Sequence, residues 1–130
     1  MTITGTFEIT VTPEPPFDTF DGVSLSRVTV DKKFSGPLDA TSKVYMVAAR
    51  TKIPTSGGYG AVERVTGVLA GKRGTFVLVH MGVMSGGSQT VTVLVVPDSG
   101  TGELAGLSGN MRIRIEGGQH FYDFDYELVE

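Results

Sequence analysis

The chain has no cysteine and no tryptophan among its 130 residues. The absence of cysteine excludes disulfides, thiolate metal sites and thiol nucleophiles, and it fits a reducing compartment such as the cytoplasm. Long apolar runs are also missing: the segment 44–49 is typical of the longest, far short of a membrane-spanning helix. The first residues lack the basic and apolar stretches of a signal peptide. We therefore expect the chain to start as mature protein, to be cytoplasmic and to have no membrane partner.

An excess of positive charge is missing as well. Lys and Arg number 11 against 14 Asp and Glu, which gives a formal net charge of -3, and the basic residues are scattered. Nucleic-acid binding needs a basic patch, so we expect no nucleic-acid partner. A chain of this length can bury a full core without disulfides or metals, and no break in composition divides it. We expect one domain over residues 1–130.

What the sequence has in abundance is alternation of apolar and polar residues. Ile3, Phe7, Ile9 and Val11 alternate with threonines and a glutamate, which predicts a strand with one apolar face. Similar patterns predict strands over 24–34, 59–69, 75–83, 89–96, 110–116 and 119–128. The segment 42–50 is apolar on both faces, which fits a short helix or a strand buried on both sides; its β-branched and aromatic residues favour the strand.

About eight strands at short spacing without a convincing helix predict an all-β fold. A flat sheet of this size would expose long Val- and Thr-rich edges, and closure into a barrel removes them. Hairpin-like connections dominate, with turns expected at 70–74, 86–88 and 117–118. We therefore predict a single closed antiparallel β-barrel rather than a two-sheet sandwich.

The glycine-rich stretch 95–109 contains a literal match to a dinucleotide-binding pattern. The segment Gly100-Thr101-Gly102-Glu103-Leu104-Ala105 fits G-x-G-x-x-G/A, but that pattern works only where a strand leads directly into a helix. Pro97 precedes the loop, and Gly106 and Gly109 oppose a helix after it. We expect a connection across one end of the barrel and no nucleotide cofactor. Glu103 is the only charged residue among these glycines, and it stays a candidate ligand contact because its direction is undetermined.

Glu63 and His80 lie on otherwise apolar faces of two strands joined by a hairpin. Pairing outward from a turn at 70–74 sets Glu63 near His80, and Gly67 near Phe76 or Leu78. One interpretation is a desolvated acid/base pair, since burial and proximity shift both pKa values toward neutrality. The other is a buried pair that fixes strand register, and the pattern favours it because structural pairs also perturb pKa values.

His120 and Tyr122 share the apolar face of the last strand. They fit either polar contacts to a ligand in the lumen or ordinary aromatic core with polar tips at the barrel mouth, and both interpretations stay open. Glu63, His80 and His120 do not show metal-ligand spacing. We expect no metal site.

Four segments in a fixed order carry a family resemblance: 59–67, 74–82, 95–104 and 120–126. Together they resemble a widespread bacterial family of small proteins known only as a domain of unknown function, over nearly the whole chain. That family is placed among the allene-oxide-cyclase-like β-barrels, a calycin-like group that includes the dirigent proteins. The resemblance implies an eight-stranded antiparallel barrel with an apolar lumen, often in a homo-oligomer. It does not imply cyclase activity, because fold kinship alone does not carry function.

Three hypotheses follow. The leading one is a binding protein that holds a small apolar or aromatic ligand in the barrel lumen, with Glu63, His80, Glu103, His120 and Tyr122 as candidate contacts. The alternative is an isomerase or cyclase-like enzyme that uses the Glu63–His80 pair for proton transfer. The third is a structural or interaction protein whose lumen is packed shut.

Overall fold

A computed structural model describes residues 1–129 of the chain. Its strands are β1 (Thr2–Pro13), β2 (Asp18–Phe20), β3 (Val23–Ser35), β4 (Leu38–Arg50), β5 (Gly57–Leu69), β6 (Lys72–Ser85), β7 (Ser88–Val95), β8 (Leu107–Glu116) and β9 (Gln119–Leu128). A 3-10 turn spans Gly102–Leu104. No helix in this part of the chain has the length and apolarity needed to cross a membrane.

β1 closes the sheet into a barrel because its two halves pair with different neighbours. Residues 2–7 pair with β9 and residues 6–13 pair with β3, both antiparallel. The short β2 pairs with the start of β3, beyond the residues that β1 reaches, so it prolongs β1 along the same edge. The structure confirms the predicted all-β fold and the closed antiparallel barrel, with eight strand positions around it. β2 was not predicted, since its residues lie between the first two predicted strands.

β4 corrects one expectation about burial. Its residues alternate strictly between buried and exposed from Leu38 to Tyr45, so it is neither a helix nor a strand buried on both sides. Tyr45 and Val47 expose about half of their surface outside the barrel. The apolar character of both faces therefore reflects an apolar outer surface.

The β5–β6 hairpin corrects the predicted register. Leu69 pairs with Lys72, so the turn consists of Ala70 and Gly71 alone, and both have positive φ, as tight two-residue hairpins require. Gly67 therefore lies opposite Gly74, not opposite Phe76 or Leu78, and Glu63 lies opposite Leu78. His80 is one inward position further along β6, diagonal to Glu63.

One half of the lumen is packed with side chains. Phe34, Leu38, Phe76 and Phe124 are almost completely buried there, and the rings of Phe76 and Phe124 stack with centroids 5.8 Å apart. The glycine-rich connection closes this end and inserts the buried side chain of Leu104 into the core.

Hydrogen bonds fix that connection against the start of β6. Thr101 N–H donates to the carbonyl of Thr75, and the Ser99 hydroxyl accepts from Val77 N–H. The connection crosses the barrel end, and a three-residue 3-10 turn stands where a dinucleotide site needs a helix.

The other half of the lumen is open. Within the described residues, β7 and β8 pair only at Leu94 and Asn110. The start of β7 and the end of β8 therefore diverge. Alternation places Ile9, Val11, Val91 and Ile115 on the inward faces of their strands, yet they are 38 to 66 % exposed. We call this region the open half of the lumen. It is an apolar cup that the strands line but do not fill.

Candidate functional site

Four neighbouring strands each contribute one buried polar side chain to a cluster at the floor of the open half. Glu63 Oε1 lies 3.2 Å from Nζ of Lys32 and 2.6 Å from Nε2 of His80, and Glu63 Oε2 accepts from the Ser42 hydroxyl at 2.5 Å. Glu63 is fully buried, and the other three are less than one-tenth exposed. Both carboxylate oxygens are thereby occupied. We call this group the polar cluster.

Lys32 and Ser42 were not identified as site residues from the sequence. The signal was available: Lys32 lies between Val30 and Phe34 on the same face of β3, and all three are buried. Its ammonium lies 4.9 Å from the ring centroid of Phe7 and 5.7 Å from that of Phe34. These aromatic faces attract the cation and connect the polar cluster to the packed half.

Glu63 is held in its charged form. Burial by itself raises the pKa of its carboxyl, but the hydrogen bond from His80, the charge of Lys32 and the hydrogen bond from Ser42 outweigh that effect. The net result is a pKa below the usual range for glutamate. Because an ionised carboxylate only accepts hydrogen bonds, Nε2 of His80 carries the hydrogen.

This arrangement differs from that of an acid/base pair. A general base works best with a pKa near the working pH, and here the pKa of Glu63 moves the other way. The structure brings Glu63 and His80 together as the hairpin predicted, and it adds Lys32 and Ser42 as two further hydrogen-bond donors to the carboxylate. The geometry favours a structural pair that holds β3, β4, β5 and β6 in register.

An open cleft of about 580 Å³ lies at the mouth of the barrel beyond the cluster, and Met46, Tyr59 and Met84 line it. Burial, and next the charge of Glu63, raise the pKa of Tyr59. Tyr59 lies over Gly82, where a Cβ atom would overlap its ring. Gly82 on β6 thus allows the Tyr59 ring to lie flat against the barrel between the cleft and the polar cluster.

His120 lies at the open end of the barrel. It is half-buried, and its ring centroid is 5.1 Å from that of Phe7. Together with Ile9 and Gly118 it lines a second open cleft of about 710 Å³ between β1 and the β8–β9 turn. A molecule in the open half could reach it.

Tyr122 and Glu103 lie elsewhere. Tyr122 is fully buried in the packed half, where its hydroxyl accepts from Leu38 N–H and donates to the carbonyl of Ser35. Burial raises the pKa of this phenol. The Glu103 carboxylate accepts from the backbone N–H of Arg73 at the outside of the closed end. The structure brings neither side chain to the open half of the lumen.

Within residues 1–129, no group of three or more His, Asp or Glu side chains converges on a common metal position. Glu63 and His80 supply two possible ligand atoms, but the ammonium of Lys32 lies on the same carboxylate oxygen. That positive charge repels a metal cation. The polar cluster is therefore a set of hydrogen-bonding and charged groups.

The lowered pKa of Glu63 predicts a pH dependence of stability. A carboxyl with a depressed folded-state pKa stabilises the fold above its unfolded-state pKa, about 4.3 for glutamate. That contribution is lost as the pH falls through the folded-state value. We therefore expect the difference in unfolding free energy between the wild type and Glu63→Gln to shrink as the pH falls from about 4.3 toward the folded-state pKa of Glu63. Urea titrations of both proteins between neutral and acidic pH measure it, and a constant difference contradicts the prediction.

Comparisons with known proteins agree on one family. The family model described as DUF3224, a protein of unknown function, matches residues 3–126. A solved structure from Shewanella oneidensis MR-1, described as a protein with unknown function from the same family, is 44% identical over 100% of this chain and 98% of that chain, with a TM-score of 0.94. No curated protein matches the chain. These matches confirm the resemblance to a family of unknown function.

Proposed function

The chain belongs to the DUF3224 family, whose description assigns no function, and from its geometry we propose that it binds a small apolar or aromatic molecule in the open half of the lumen. One observation carries the proposal. Inward-facing Ile9, Val11, Val91 and Ile115 remain 38 to 66 % exposed, although the same faces of their strands are buried in the packed half. Exposed inward apolar surface is the typical lining of a ligand pocket.

The dimensions of the site support this proposal. Ligand pockets in proteins usually enclose roughly 300–1,000 Å³. Two open clefts at this end of the barrel have about 580 Å³ and about 710 Å³, and Ile9 lines the second. Apolar walls supply the binding free energy, while a few polar groups orient the ligand. The polar groups at this end include His120, the Tyr59 phenol, Arg50 and Gln89, and the polar cluster forms the floor. A ligand with an apolar body and one hydrogen-bonding group fits these surroundings.

The enzyme hypothesis has weaker support. Proton transfer by Glu63 needs a free carboxylate oxygen within reach of a substrate, and both oxygens already accept hydrogen bonds. Glu63 has no exposed surface. The packed-lumen hypothesis describes only one half of the barrel. Ligand binding is the function that uses the open half.

Further proposals concern the location and the partners of the protein. We propose that the protein works in the cytoplasm, supported by the absence of cysteine, and that it assembles with identical chains. We propose no nucleic-acid partner, supported by the net charge of -3 and the scattered basic residues, and no membrane partner, supported by the lack of a long apolar run.

Two valines with equal exposure test the proposed site. Val11 on the inward face of β1 and Val47 on the outer face of β4 are both 51 % exposed. We expect the wild type to bind the fluorescent probe 1-anilinonaphthalene-8-sulfonate and Val11→Asp to bind it at least about tenfold more weakly, because the carboxylate enters an apolar site. Val47→Asp carries the same charge change outside the lumen and is expected to leave the affinity unchanged.

Fluorescence titration at fixed protein concentration measures the three affinities, and circular dichroism checks that each variant is folded. If the wild type does not bind the probe, or if Val47→Asp weakens binding while Val11→Asp does not, the proposed site is wrong. The second result would place the probe on the outer surface.

A further inference from the structure

We infer that the outer face of β4 to β7 is the surface through which two copies of this chain associate. The inference rests on the proposed assembly of identical chains and is independent of ligand binding. Cross-strand pairing aligns Tyr45, Val62, Val79 and Leu94 in one row across the four strands. The adjacent row contains Val47, Gly60 and Met81. We call these seven residues the outer patch.

The outer patch is apolar and exposed. Its six side chains are between 40 and 58 % exposed, and no charged residue lies among them. The patch is bordered at one end by Lys43 and Arg64. These two residues pair with each other at the next outward-facing position of β4 and β5. An uncharged centre with a tyrosine, a methionine and a polar rim is the usual composition of a protein interface.

The exposed apolar area of the patch is comparable with that of a protein interface. Six side chains with about half their surface exposed present on the order of 500 Å² of apolar surface, which reaches the largest patches of ordinary monomers. A standard interface buries roughly 800 Å² per partner. The outer patch supplies on the order of 500 Å² of it, which is more than half of what each partner buries.

Gly60 at the centre of the patch gives independent support. A Cβ atom built at Gly60 meets nothing within 4 Å, and its φ is not positive. Nothing inside the chain therefore requires glycine there, although glycine weakens a strand interior by roughly 0.5–1 kcal/mol relative to alanine. Glycine inside a strand often marks a bulge, a tight bend or a close approach by a ligand or another backbone, and the unbroken pairing of β5 with β4 and β6 at Gly60 excludes a bulge.

The patch can complement itself. Gly60 leaves a hollow bordered by Val47, Val62 and Met81, while Tyr45 and Met81 are the most exposed side chains of the patch. A two-fold axis through the patch brings the projecting side chains of each copy over the hollow of the other. Such an interface uses the same surface on both chains, which a second copy offers and an unrelated partner does not.

Sedimentation equilibrium and native mass spectrometry of the full chain test the inference. We expect a dimer in the wild type and at least about tenfold weaker association in Val47→Asp and in Gly60→Val, because the first places a charge in the patch and the second fills the hollow. Gly60→Val has open space within the chain, so its melting temperature is expected to stay the same or rise when circular dichroism is measured at a protein concentration low enough for the wild type to be monomeric. Val11→Asp, which carries the same charge change inside the lumen, is expected to dimerise like the wild type.

Two results would overturn the inference, and they differ in meaning. A monomeric wild type removes both the proposed assembly and this interface. A dimeric wild type whose association is unchanged by Val47→Asp and Gly60→Val keeps the assembly but places its interface elsewhere. Loss of the dimer in Val11→Asp as well as in Val47→Asp also contradicts the assignment of the outer face.

Discussion

Replacement of Glu63 by Gln is expected to lower the free energy of unfolding by about 3–5 kcal/mol, because it leaves the buried ammonium of Lys32 without a counter-charge. The neutral amide keeps nearly the same shape and can still accept from His80 and contact Ser42. The loss therefore measures the missing charge rather than lost packing. Urea denaturation followed by circular dichroism at neutral pH gives the value.

A double variant isolates that cause. Lys32→Met combined with Glu63→Gln removes both charges and keeps an unbranched side chain at position 32, next to the Phe7 and Phe34 rings. Buried ion pairs replaced as a unit by uncharged residues often cost little, so we expect most of the lost stability to return. Failure of the double variant to recover would assign the loss to the Glu63–His80 contact instead. A cost below about 1 kcal/mol for Glu63→Gln alone contradicts the proposed role of the cluster.

Replacement of Gly100 by Ala is expected to cost about 3 kcal/mol of unfolding free energy, at the upper end of overpacking effects. A Cβ atom at Gly100 would overlap the backbone carbonyl of Leu104. Backbone cannot rotate away as a side chain can, so the connection across the closed end must shift. That shift withdraws Leu104 from the core, where it is almost completely buried.

Gly60→Ala is the matched control for this substitution. Its added methyl group meets open space, and alanine is favoured over glycine in a strand interior. We expect a gain of about 0.5 kcal/mol in unfolding free energy, measured by urea denaturation at low protein concentration to keep association out of the comparison. If both alanine variants unfold at the wild-type urea concentration, the glycine-rich connection has no steric need for Gly100.

In the glycine-rich connection, a short sequence pattern has a structural role different from the one that the pattern suggests. Gly100 to Ala105 matches a nucleotide-binding pattern by letter, but Gly100 serves the close approach of the Leu104 carbonyl. The sequence supplied the argument against a nucleotide, namely the glycines and proline that oppose a helix. The sequence did not show that Leu104 closes one end of the core, because that role depends on contact with strands distant in the chain.

The candidate site was only partly predictable for a related reason. The hairpin between β5 and β6 is local, so the proximity of Glu63 and His80 followed from the alternation and the turn. Lys32 reaches Glu63 across 31 residues, and that contact depends on the order of strands around the barrel. His120 and Tyr122 looked equivalent in the sequence because they share one face of β9. In the structure His120 lies at the open end of the barrel and Tyr122 lies in the packed half.

The amino-acid pattern alone determined the strands, their apolar faces and the all-β barrel, because period-two alternation and turn residues act over a few neighbouring positions. Only the tertiary structure decided which half of the lumen is filled. That outcome depends on where β1 changes partners from β9 to β3 and where β7 and β8 stop pairing. Strand alternation determines which side chains point inward. The closure of the barrel determines whether other side chains pack against them in the lumen.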